Sequence, residues 1–203
     1  MYAIRKVDST EKEIVNEVVS IHMDSFDGFF LTFLGPGFLR QMYRSYCEEE
    51  TSGLIVAFEK NRPIGFLAYS GNLCGLYKYM IKKRLVAFMW YSLGAFIRKP
   101  RIFFRLIRAF LKPGESKRNE PYVELASIAV SSDEMSKGIG AQLIKYFVDM
   151  VDFEKYEYIT LETDAVNNDR VNAFYQKNGF KFERQYETHE GRIMNEYRYK
   201  KEN

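Results

Sequence analysis

Gly138 and Gly140 stand where a helical pattern begins, and two glycines at such a place suit one kind of chemistry. They strip side chains from the turn in which the first N–H groups of the helix lack intrahelical partners. An anion can then lie against bare amides at the positive end of the helix dipole. The pair therefore reads as a phosphate seat, or as the tight strand-to-helix turn that glycine also favours. No Lys-Ser or Lys-Thr follows as in a P-loop, and no G-x-G-x-x-G occurs here. Cys47 and Cys74, with His22 and His189, lack metal-ligand spacing, so no metal site and no structural disulfide is expected. His22, near the end of a helical stretch, reads as a packed or capping histidine.

The elements that must hold the glycines lie on either side of them. Val123–Val130 is apolar and rich in β-branched and small residues, which suits a strand near a sheet centre, buried on both faces. Ser131, Ser132 and Asp133 stop it. From Ile139 the apolar positions recur at Leu143, Phe147 and Val151, with Ile144 and Val148 beside them, giving a helix with one apolar face.

Upstream, Tyr2–Val7 alternates as a half-buried strand, and Ser9 or Thr10 with Glu13 offers a capping signal for the helix that follows. Phe26–Leu39 is a loop loaded with phenylalanine and glycine. It is either a cover over the core or the apolar wall of a cleft, and Phe29, Phe30 and Phe33 are its candidate substrate contacts. Pro36 opens a helix through Glu50, with Met42, Tyr43 and Tyr46 on its apolar face. Gly53–Glu59 and Pro63–Ser70 pair as a hairpin. Downstream, Tyr156–Asp164 is a strand, Asn167–Asn178 is a helix closed by Gly179, and a hairpin about Glu190-Gly191 ends the chain.

With 203 residues and 46% hydrophobic content, the chain has enough apolar side chains for one core, so residues 1–203 are expected to form one domain elaborated at 71–119. There is no signal-peptide pattern, and no apolar run reaches the roughly 18 residues of a spanning helix, which makes the cytoplasm the expected compartment. The net charge of +3 hides an asymmetry. Between Cys74 and Arg118 stand twelve Lys or Arg and one acid, Glu115, so that segment carries +11 and the remainder −8.

Within the basic segment, Lys78–Arg84, Leu85–Ile97 and Pro100–Leu111 read as helices. The 13 uncharged residues Leu85–Ile97 fit an interfacial or buried helix better than a spanning one. The segment can serve an anionic membrane surface, steer an acidic acceptor, or stand as a solvated lobe. Nucleic acid ranks behind these, because aromatic side chains crowd the same stretches.

The glycine turn and the last helix together resemble the GNAT superfamily of acyl-CoA-dependent N-acyltransferases. The first motif of that family, Gln or Arg-x-x-Gly-x-Gly or Ala, is matched by M-S-K-G-I-G from Met135 to Gly140, with Met135 in the polar position. The second is matched by N-D-R-V-N-A-F-Y-Q-K-N-G-F from Asn168 to Phe180. The resemblance implies an α/β (α+β) domain with a mixed sheet of about seven strands flanked by helices. The sheet would splay between the fourth and fifth strands, and the basic helical segment would lie between the third and fourth.

It also implies acetyl-CoA as co-substrate and a small-molecule or peptide amine as acceptor. Ile128 and Val130 would meet the pantetheine arm. Lys137, Gly138, Ile139, Gly140 and Ala141 would hold the pyrophosphate, and Asn168 would bond the pantetheine or simply cap its helix. Tyr175 would protonate the departing thiolate or pack in the core. Glu124, costly in an apolar strand unless used or paired, is the candidate base or an ordinary strand-end glutamate. An alternative function is CoA binding or membrane-surface interaction without turnover.

Overall fold

In a computed structural model, residues 2–98, 100, 120–188 and 191–201 are described. Seven strands form one mixed sheet: β1 (Ala3–Lys6), β2 (Ser52–Glu59), β3 (Arg62–Ser70), β4 (Tyr122–Val130), β5 (Tyr158–Asp164), β6 (Lys181–Glu187) and β7 (Ile193–Tyr199). Their order is β1-β2-β3-β4-β5-β7-β6. Only β4 and β5 run parallel. The β2–β3 connection is a two-residue turn at Lys60 and Asn61, whose φ of 48° and 66° are the pair of left-handed conformations that match strand twist.

Helices cover both faces. On one lie α1 (Lys12–Ser25), α2 (Phe30–Leu34), α3 (Pro36–Glu48) and α4 (Leu73–Arg98), burying Val15, Val18, Leu39 and Tyr43 against Leu54, Val56, Phe66 and Ala68. On the other lie α5 (Ile139–Met150) and α6 (Asp169–Lys177). There Leu143, Phe147 and Tyr175 join Ile55, Leu67, Val123, Leu125 and Tyr197. Alternate side chains of β2 and β3 thus feed two separate cores, as a sheet covered on both faces requires.

Four expectations need correction. No side chain caps α1: its N-cap is Glu11, whose carboxylate instead takes the Asp8 N–H at 2.9 Å and Arg5 at 2.6 Å. The phenylalanine-rich stretch is not all loop, since α2 occupies its middle and buries Leu34. Helices expected separately at Lys78–Arg84 and Leu85–Ile97 are one continuous α4, because Lys, Arg and Leu are good helix formers and nothing at Arg84 breaks the backbone pattern. The helix expected over Pro100–Leu111 lies, beyond Pro100, outside the described residues. Finally, β4 is not buried on both faces even at its start, since Val123 and Leu125 share one face while Tyr122 and Glu124, on the other, are only half-buried. Val123 and Leu125 are inaccessible, whereas Ala126 is exposed and Ser127, Ile128 and Val130 are half-buried.

Candidate active site

The reason for that exposure is the geometry of the sheet centre. β4 pairs with β5 only at Tyr122–Glu124 against Tyr158–Thr160, after which the two strands part. Beyond Glu124 the β4 edge has no β5 ladder, although β3 continues to pair with its other edge as far as Val130. A wedge thus opens in the middle of the sheet, with strand backbone groups along its wall. Ile128 and Val130 stand on that wall, packed from the side by the α5 core.

One further irregularity shapes β4. Ala68 pairs with Ser127 and Tyr69 with Leu125, so Ala126 is an extra residue, a β-bulge. In a regular strand Glu124 and Ser127, three apart, would face opposite sides. The bulge reverses the alternation, so Glu124, Ala126 and Ser127 all line one cavity on the α1/α3/α4 side.

That cavity has a volume of about 290 Å³ and is completed by Leu31, Met42, Tyr43, Tyr46, Leu73, Tyr77 and Met80. Its chemistry is an apolar and phenolic wall with a carboxylate on the floor. Burial pushes the hydroxyls of Tyr46 and Tyr77 upward, and the Glu124 charge adds to both. Tyr43 is raised by burial too, while Ser127 stands where it stabilises the phenolate. Behind Tyr43 is His22, whose Nδ1 lies 2.7 Å from the Tyr43 hydroxyl. Its Nε2 is buried without a partner, and burial lowers its pKa to about 4, so the imidazole is neutral.

At the mouth of the wedge, Gly138 caps α5 at φ 80°, a left-handed conformation, and a Cβ there would meet nothing within 4 Å. No side chain caps the helix, and its first bond from outside runs from Gln142 N–H to the Gly138 carbonyl at 3.1 Å. The N–H groups of Ile139, Gly140 and Ala141 precede that bond and point outward. Gly140 answers a different need, since its Cβ would stand 3.2 Å from the Phe174 ring. The Lys137 ammonium is exposed and pairs with Glu134 at 2.9 Å. Met135, which stands at the polar position of the first motif, is 47% exposed. An open strand edge leading to an uncapped helix N-terminus with open space at its glycine fits a pantetheine arm ending in a pyrophosphate.

On the other wall, Asn168 forms no side-chain cap. Its amide donates to Thr163 Oγ1 at 2.8 Å and the Asp164 carbonyl at 3.0 Å, fixing α6 to the end of β5. Asn172, one helical turn on, donates to the Asp164 and Asn168 carbonyls and accepts from Asn195 and the Tyr197 hydroxyl, both at 2.9 Å. Tyr175 packs among Phe174, Phe180 and Tyr197 at 5.4 to 6.3 Å between ring centres. Burial raises its pKa, and its hydroxyl has no hydrogen-bond partner among the described residues.

Phe29 and Phe33 do not line the cavity. Phe33 packs at the edge of the core, whereas Phe29 is exposed, edge-on to Phe26 and 5.9 Å beneath the Arg192 guanidinium. Arg192 in turn holds Asp164 at 2.8 Å, which brings Phe29 to the end of β5. Phe30 begins α2, and its side chain lies outside the described residues. The sequence reading placed Tyr43 and Tyr46 on an apolar helix face and Asn172 inside the second motif, but gave no site role to them, to Tyr77 or to Ser127. The available signals were the Tyr43/Tyr46 spacing of one helical turn and the placing of Asn172 four residues after Asn168. Among the described residues no cluster of His, Cys, Asp or Glu could hold a metal.

A wedge between parallel central strands, with an uncapped N-terminus on the following helix, has the form to take an extended ligand with a phosphate at one end. Residues 16–180 match the profile of the Acetyltransferase (GNAT) family. The chain belongs to that family and is an acyltransferase with acetyl-CoA as co-substrate. Solved structures agree in fold. An acetyltransferase of the GNAT family from Desulfovibrio desulfuricans superposes with a TM-score of 0.61 at 16% identity, covering 98% of this chain and 99% of that one. An N-acetyltransferase from Staphylococcus aureus gives 0.60 at 16%, covering 98% of each. Arabidopsis thaliana NAA60, solved with acetyl-CoA, gives 0.59 at 14%, again covering 98% of each. None of the curated proteins compared with the chain matches it.

Proposed function

We propose that this acyltransferase acetylates a primary amine that enters the cavity on the α1/α3/α4 side of β4 and attacks acetyl-CoA lying in the wedge. The observation that carries the reading is the bulge at Ala126, which sets Glu124 and Ser127 in the cavity on the strand that also lines the wedge. The acceptor is a small-molecule or peptide amine with an apolar or aromatic neighbour, since Met42, Met80 and three tyrosines surround the carboxylate.

Pyrophosphate rests on the N–H groups from Lys137 to Ala141, the pantetheine arm follows Ile128 and Val130, and Asn168 borders the opposite wall. Glu124 draws the ammonium group in and takes one proton from it to free the lone pair, and the second proton, released as the nitrogen bonds the acetyl carbon, leaves through water. The C–S bond then breaks, and the Tyr175 hydroxyl gives its proton to the sulfur. The burial that raises the phenol's pKa also raises that of a thiolate expelled beside it, so the transfer remains favourable. Phe29, Phe30 and Phe33 border the acceptor's approach. Residues 1–203 act as one catalytic domain, with 71–119 an insertion in it, in the cytoplasm, where acetyl-CoA is supplied.

A thiol-release assay across a panel of soluble amines tests the reading. Apolar-flanked primary amines should be acetylated and carboxylate-bearing ones of equal size should not, because Glu124 repels them. Equal turnover of both would refute the placement of the acceptor, and CoA binding without any turnover would favour a binding module.

A further inference from the structure

The inner face of α4 is accounted for. Leu76, Met80 and Ala95 are buried, and Phe88 tilts onto Phe38 with ring centres 4.6 Å apart. Arg84 ties the helix to α3 through Glu48 at 2.5 Å and Gln41 at 2.7 Å. Gly37 lets the Tyr91 ring come so close that a Cβ there would overlap it. The helix is therefore a fixed element.

Among the described residues nothing covers its outer face. Val86 is 81% exposed, Trp90 and Ile97 71%, and Met89 64%, with Ile81, Leu85 and Leu93 also in solvent. At about 100° per residue these seven fall within roughly half the circumference, in one continuous stripe. Scattered exposed hydrophobics are ordinary on protein surfaces, but a contiguous stripe of this size marks an interaction face.

Charge identifies what the face meets. The helix contains no acid along Leu73–Arg98, and Lys78, Lys82 and Lys83 stand exposed at the N-terminal end of the stripe. After the uncharged run Leu85–Ile97 the sequence turns basic again, with Arg98 and seven further Lys or Arg from Lys99 to Arg118 against one acid. A second copy of this chain would bring the same positive charge and be repelled. An apolar stripe with tryptophan at its middle and cations at both ends matches a helix lying flat on an anionic bilayer, its rings among the acyl chains and its lysines at the phosphates. No helix among the described residues is long and apolar enough to cross a membrane.

We propose that the outer face of α4 docks this protein on an anionic membrane surface, with Val86, Met89, Trp90, Leu93 and Ile97 entering the interface and Lys82 and Lys83 on lipid phosphates. The inference goes beyond acetyl transfer and stands on a different face from the cavity.

The test uses full-length protein with phosphatidylcholine vesicles, alone or mixed with phosphatidylglycerol. Trp90 is the only tryptophan in the chain, so its emission reports directly on the patch. Protein should sediment with the anionic vesicles at low salt, shift its emission to the blue and be released at high salt. Each lysine near such a surface is worth roughly fivefold in partitioning, so the neutralising double variant K82Q/K83Q should bind about 25-fold more weakly. The variant V86D/W90D should no longer sediment.

Neither variant touches the wedge or the cavity, so acetylation of a soluble amine should stay unchanged. That separates failure of this inference from failure of the proposed function. Indifference to both kinds of vesicle, equal binding to neutral ones, sedimentation that survives V86D/W90D, or retention on duplex DNA in place of vesicles would each overturn the proposal.

Discussion

Acidification is expected to weaken this fold through His22. The ring is 3% exposed, 4.6 Å from Phe26 and 6.3 Å from Phe66 between ring centres, with Nδ1 on the Tyr43 hydroxyl and nothing at Nε2. A second proton would create an imidazolium with one N–H facing apolar side chains. Burial accordingly lowers the pKa from 6.5 to about 4. Between those values the unfolded chain holds a proton that the folded chain refuses. The stability is therefore fully present above the unfolded value and is lost as the pH falls toward the folded one. At about 1.36 kcal/mol per unit, the whole interval is worth roughly 3 kcal/mol, and about 2 kcal/mol of it disappears between pH 6.5 and pH 5. Urea unfolding of the wild type and His22→Gln, followed by circular dichroism across that range, isolates the effect. Glutamine can still bond Tyr43 but does not titrate, so the stability gap between the two proteins should shift by about 2 kcal/mol against the wild type as the pH falls. A gap that stays constant would show that His22 is not the proton-linked group.

Substitutions at three further positions address the site. Tyr175→Phe keeps the ring among Phe174, Phe180 and Tyr197 and removes only the hydroxyl, so kcat should fall about 100-fold with melting and CoA affinity unchanged; an unaltered kcat where chemistry is rate-limiting would make the residue structural. Gly138→Asn and Gly138→Asp are both tolerated in left-handed backbone, so they should melt alike, yet the carboxylate should weaken CoA binding at least about tenfold relative to asparagine. Equal affinities by calorimetry would remove the pyrophosphate from this turn. Asn172→Leu strands the Asn195 amide and the Tyr197 hydroxyl, and thermal unfolding should show a loss of roughly 2–4 kcal/mol; a melting temperature within error of the wild type would mean that water replaces the asparagine.

Most of the chemistry at the wedge mouth was written locally. The turn at Gly138, the apolar face of α5 from Ile139 to Phe147 and the closure of α6 at Gly179 depend on backbone freedom and on a 3.6-residue period, both of which act within a few neighbours. The order of elements along the chain and the family motifs followed from the same short-range patterns. The acceptor cavity did not, because its decisive feature is a mismatch of register. Ala126 becomes a bulge only when β4 aligns on β3 more than fifty positions earlier in the chain, and only then do Glu124 and Ser127 face the same way. His22 likewise reads as a packed histidine from its helix position, but its tie to Tyr43, and through it to the cavity wall, exists only once α1 and α3 lie side by side on the sheet. The basic segment shows the converse limit: its charge was plain in the sequence, whereas the decision to bury Leu76, Met80 and Ala95 and to leave Val86 and Trp90 in solvent was made by how far α3 extends along one continuous helix.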